Sequence, residues 1–167
     1  MHQVVHDIKE AQTSENFNTS TGARLYLWEM ALDGIRESPW IGIGSIERMR
    51  RIKHAGEGES EEELAKIQEV RSLGHVHNQY LHSALDGGLI GLASFLALLI
   101  GMAISISHLG RAAPVAAWHL GGVLFMHATA SLTNVNFAHN YYATGLALAV
   151  ILPLLSSAHE ATETRKP

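Results

Sequence analysis

The sequence predicts an all-α membrane protein, with about three transmembrane helices preceded by a helical loop region. Two observations carry this. Residues 1–86 hold 23 Asp, Glu, Lys and Arg residues, whereas Arg111 is the one such residue in the 73 that follow Asp86. The periodic parts of the polar half repeat at helical spacing, and the apolar half contains three uncharged stretches of membrane-crossing length. The formal charge of −4 divides as −5 over residues 1–86, +1 at Arg111 and zero for the tail, which leaves no basic footprint for nucleic acid. With no cysteine in the chain, a disulfide framework and a thiolate metal site are both excluded.

Residues 1–20 are polar and aperiodic and read as a loose lead-in. Met1 to Ser20 holds no apolar run of signal-peptide length. A polar half lying outside the cytoplasm would then need upstream spans, so the chain reads as the C-terminal part of a larger polytopic protein. Residues 21–37 are expected to form a helix, with Leu25, Trp28, Leu32 and Ile35 on one face. Ser38-Pro39 should end it, because proline pushes the residue before it out of the helical region. Gly42-Ile43-Gly44 follows as a turn.

The basic stretch Arg48, Arg50, Arg51 and Lys53 adjoins the acidic run from Glu57 to Glu63. Ser60-Glu61-Glu62-Glu63 has the form of a capping box, opening a second helix over residues 60–73. The membrane half then offers spans at about 87–107, 113–132 and 141–157, with a tail at 159–167. Arg111, Arg165 and Lys166 all fall on one side of such a bundle, which the positive-inside bias makes cytoplasmic. Residues 1–86 and the 133–140 connection are expected on the opposite, periplasmic side.

The seam between the halves is rich in chemistry. It reads His75-Val76-His77-Asn78-Gln79-Tyr80-Leu81-His82, then Asp86-Gly87-Gly88-Leu89-Ile90-Gly91. An imidazole is the usual group for taking a proton from a hydroxyl near neutral pH. A guanidinium can meet the growing charge of a departing phosphate bidentately without losing its own. His75, His77 and His82 also invite a metal reading. On one helix, however, His75 and His82 lie two turns apart and His77 points elsewhere, so no metal is expected. His82 and Asp86 are correctly spaced for a helical pair. His119, His127 and His139 occupy or border the later spans, where an imidazole bonded between helices is the plainer reading.

His77-Asn78, nine residues, then Gly88-x-x-Gly91 resembles the motif of the O-antigen ligase and O-antigen polymerase family of bacterial envelope glycosyltransferases. Arg24-Leu25-Tyr26-Leu27-Trp28, leading into Ser38-Pro39-Trp40-Ile41-Gly42-Ile43-Gly44, is similar to that family's second signature. The resemblance covers roughly residues 18–100. It implies the C-terminal part of a GT-C-like bundle whose N-terminal helices are missing from this sequence. It also implies a metal-independent, inverting transfer of a glycan from undecaprenyl diphosphate, with no cofactor. The acceptor would be a hydroxyl of lipid A-core or another glycan, at the periplasmic face of the inner membrane.

On this resemblance His77 and Arg24 are the catalytic candidates. Asn78, Arg48, Arg51 and His139 are candidate substrate contacts, although the arginines read equally as a solvated patch. Pro39, Gly42, Gly44, Gly88 and Gly91 are structural motif positions, the last two one turn apart and suited to close approach of a helix or lipid chain. Membrane lipids are expected partners. A polysaccharide polymerase or a protein O-oligosaccharyltransferase remains open within the same chemistry. A transporter, or a non-catalytic fragment, remains open outside it.

Overall fold

The computed structural model describes residues 2–163, excepting the side chains of residues 2, 12, 140 and 157–163. Part of the expected tail, including Arg165 and Lys166, lies outside the described residues. All regular structure among those described is helical: α1 (His2–Ser14), α2 (Ser20–Glu37), α3 (Gly44–Lys53), α4 (Glu61–Lys66), α5 (Gln68–Ser72), α6 (Gln79–Leu109), α7 (Pro114–Ala130) and α8 (Asn140–Glu163), with a 3₁₀ turn at Asn136–Ala138. The chain forms two compact units, residues 1–93 and 94–167.

In the first unit the lead-in is helical rather than loose. Asp7 and Ala11, one turn apart, are both buried, and α1 packs along α2. The Gln3 side chain supports Asp7 with a 3.0 Å hydrogen bond. Too few apolar residues mark that face for periodicity to reveal it.

Thr19 caps α2 by accepting from the Gly22 N–H at 3.0 Å, and the helix ends at Ser38 as the following proline requires. Its buried stripe is Ala23, Leu27, Ala31 and Gly34, offset from the expected face; Leu32 is exposed. Small residues let other segments approach the axis closely, and Leu85 packs over Gly34 where a Cβ would stand.

The basic stretch forms α3. The Ser60 capping box is present, with both reciprocal bonds to Glu63. The helix it opens is interrupted at Ile67, which turns its side chain into the core and separates α4 from α5. Leu27, Ile52, Val70, Val76 and Leu85 meet there fully buried. Each such side chain contributes roughly 1.5–3 kcal/mol.

Helices occur at each of the three stretches read as spans. Among the described residues, α6 is the one long and apolar enough to cross a membrane by length and composition. α7, with 17 residues, and the apolar stretch Tyr141–Ser156 are shorter. In the second unit His127 is buried, with Nδ1 2.8 Å from the Tyr142 hydroxyl and the rings of Phe95 and Phe137 around it. Its carbonyl accepts from Ser131, which in turn accepts from Asn136 at 3.1 Å.

Candidate functional site

The two signatures meet in the first unit, and glycine makes the meeting possible. α6 is broken at Gly88, whose φ of 61° and ψ of −155° only glycine adopts readily. A Cβ there would collide with the Trp40 backbone. At Gly42, with φ of 69°, a Cβ would lie 2.5 Å from the Leu85 carbonyl oxygen. A Cβ at Gly91 would strike the Ser83 carbonyl across the break.

The groups freed by the break are satisfied by the loop. Leu89 N–H donates to the Pro39 carbonyl at 2.7 Å, and Ile90 N–H to that of Trp40 at 3.3 Å. In return, Ile43 N–H donates to the Leu85 carbonyl at 2.8 Å. What approaches Gly88 is therefore an irregular loop and not a helix or a lipid chain.

Just upstream, residues 74–78 are pinned from two sides. Trp28 Nε1 donates to the Val76 carbonyl at 2.9 Å, and Val76 itself is in the core. The Arg48 guanidinium donates to the Gly74 carbonyl at 2.5 Å and, through Nε, to Asp86 Oδ1 at 2.8 Å. Arg48 is only 7% exposed, so one fork ties α3, the seam and α6 together. Between these anchors His77 adopts a left-handed φ of 52°, uncommon for a residue with a side chain. Its ring meets that of His75 edge-on at 4.4 Å. Asn78 caps α6: its Oδ1 accepts from the Leu81 N–H at 3.0 Å.

His82 lies one turn along, before the uncharged membrane-crossing stretch. Burial above all, then the Arg48 charge, pushes its imidazole down to about 4, against the opposing pull of Asp86. It is therefore neutral near pH 7. Its Nε2 stands 3.6 Å from Asp86 Oδ2, too long for a hydrogen bond. The Arg48 guanidinium is the cation at this carboxylate, and no three metal-ligating side chains gather among the described residues.

The other candidates sort by how their charges are used. Arg51 forks onto Glu37 at 3.0 and 2.6 Å and reaches Glu47 at 2.8 Å. Arg50 also forks onto Glu47, and these two arginines, Arg50 first, hold the Glu47 carboxyl down at about 2. Arg24 contrasts with them. It is half-buried on α2, one turn before Trp28, and takes part in no hydrogen bond or ion pair among the described residues. His139 belongs to the second unit, where its ring stacks on Tyr141 at 5.2 Å.

The Arg48–Asp86 pair escapes sequence reading because its partners are 38 residues apart. The capping role of Asn78 was legible in principle, since asparagine just before an apolar helix is a standard start signal.

The sequence model of the O-antigen ligase family matches residues 1–96. The chain is also 34% identical over 98 residues to an uncharacterized protein of Haemophilus influenzae, an alignment covering 56% of this chain and 22% of that protein. It therefore spans about a fifth of the length of this relative. The chain belongs to the O-antigen ligase family, and that membership together with the long apolar helix α6 supports a membrane protein.

Proposed function

We propose, from membership in the O-antigen ligase family, that this chain carries the glycan-transfer site of a lipid-linked polysaccharide ligase. The donor is a glycan on undecaprenyl diphosphate, and the acceptor is a hydroxyl of lipid A-core, at the periplasmic face of the inner membrane. In this reading α6, α7 and α8 all cross the membrane, and residues 1–86 are periplasmic.

The observation that carries the reading is the double pinning of residues 74–78 by Trp28 and Arg48. It holds the segment that carries His77 just before α6; in this reading that is where a lipid-borne pyrophosphate meets water. The His77 imidazole takes the proton from the acceptor hydroxyl. That oxygen attacks the anomeric carbon as the bond to the diphosphate breaks, and the leaving group departs with the bonding pair. Arg24, whose charge has no partner among the described residues, meets the developing negative charge. Arg48 and Arg51 are spent on internal carboxylates, so they act by holding the loop rather than the ligand. Asn78 serves the site through its helix cap.

The test is glycan attachment in a ligase-deficient strain expressing the gene. His77→Ala and Arg24→Ala should each abolish attachment while the protein still inserts in the membrane. Wild-type attachment by His77→Ala would remove the base from this scheme. Attachment that persists in chelator is expected of chemistry needing no metal, and a sharp loss would overturn that element.

A further inference from the structure

The connection between α2 and α3 leaves three large apolar side chains bare within seven residues. Trp40 is 68% exposed, Ile41 70% and Ile46, at the head of α3, 87%. Among the described residues of the first unit, the other neighbouring exposed apolar side chains are the pairs Val4–Val5 and Leu89–Ile90, each less exposed than these three. The Trp40–Ile41 backbone is not free to swing its side chains away, because the carbonyls of Pro39 and Trp40 are hydrogen-bonded to Leu89 and Ile90. Leu89 and Ile90 are themselves exposed, and they begin the apolar run of the membrane-crossing helix. Whatever depth those two residues occupy, Pro39 and Trp40 stand beside them at hydrogen-bond distance, and Ile41 follows directly in the chain.

We propose that Trp40, Ile41 and Ile46 form a wedge that enters the lipid leaflet at which α6 begins to cross the membrane. The occupant is lipid because the loop that carries the patch is bonded to Leu89 and Ile90, where the apolar run of the candidate membrane span begins. Indole suits this place: its apolar body and single N–H donor favour the headgroup level. Irregular backbone tolerates that depth only when its polar groups are paired, as the bonds to Leu85, Leu89 and Ile90 provide. The wedge fixes the height of the polar unit above the bilayer by a second anchor besides the helix itself. It requires only that the protein is in a membrane, and stands whether or not His77 is a base.

The chain has no cysteine, so single spin labels can be placed without background. Ile41→Cys, Ile46→Cys and, as a solvent control, Glu62→Cys would be labelled and the protein reconstituted in phosphatidylethanolamine–phosphatidylglycerol vesicles. Labels at 41 and 46 should collide with oxygen several-fold more than with a water-soluble nickel chelate, and the label at 62 should show the reverse. Nickel access at 41 equal to that at 62 would place the patch in water and overturn the proposal. Shielding of 41 from both reagents would mean that protein covers it, and would overturn the proposal equally.

Discussion

The two units of this chain use their apolar residues in opposite ways. The first buries Leu27, Ile52, Val70, Val76 and Leu85 around a core and places a buried guanidinium beside it. The second turns Trp118, Phe125, Leu148 and Leu152 outward and keeps one polar knot, at His127, Ser131 and Asn136, inside. The family match ends at residue 96, close to where the first unit ends at 93. Identity in the first unit thus resides in particular residues making particular contacts. In the described part of the second, apolar length serves with few such constraints.

The largest effect expected of this contrast concerns glycine. Gly88→Ala introduces a Cβ into the Trp40 backbone at a conformation alanine resists, and should cost on the order of 3 kcal/mol or more. Unfolding in detergent, or trypsin resistance of residues 1–93, would register the loss. An unchanged midpoint would mean that the loop does not seat on the break.

Next comes Arg48→Met, which strands Asp86 beside the core and should destabilise by about 3 kcal/mol. Adding Asp86→Leu should recover part of that loss, since the stranded carboxylate goes with it. Arg50→Met, on the solvated side of the same helix, should leave the midpoint unmoved.

A pH scan separates two carboxylate and imidazole environments. The folded value of His82, about 4, lies below its ordinary 6.5. The unfolded chain therefore takes up the proton first, and stability is full above pH 6.5 and falls as pH drops toward 4. The loss should reach at most roughly 3 kcal/mol and should be absent in His82→Gln. Glu47, held at about 2, adds its own loss only below the ordinary carboxylate range near 4.5.

The smallest effect has the opposite sign. Gly101→Ala, in the helical part of the second unit with open space where its Cβ would go, should stabilise by up to about 1 kcal/mol. A loss there would show that this face is packed against something.

The sequence carried local events well and distant ones poorly. The end of α2 at Ser38 and the Ser60 capping box depend on neighbours a few residues away and are present; the turn expected at Gly42–Gly44 lies at residues 39–41, with Gly42 at positive φ after it and Gly44 opening α3. The break at Ile67 depends on a core position, and the helicity of residues 2–14 on packing against α2, so neither showed in periodicity. At the seam, spacing marked Gly88 and Gly91 as places of close approach but not what approaches, because the Pro39–Gly42 loop is more than forty residues away. The burial of Arg48 was hidden for the same reason. A basic run looks solvated until the carboxylate that claims one member is found.

The break at Gly88 also bears on biogenesis. The Leu89 and Ile90 amides just after the break donate to the Pro39 and Trp40 carbonyls, which belong to a segment synthesised earlier. In a bilayer, seating of that loop would supply these amides with acceptors inside the protein. A nascent chain that failed to seat the loop would carry the Leu89 amide into hydrocarbon without its Pro39 acceptor, so the order in which loop and helix form should matter to assembly.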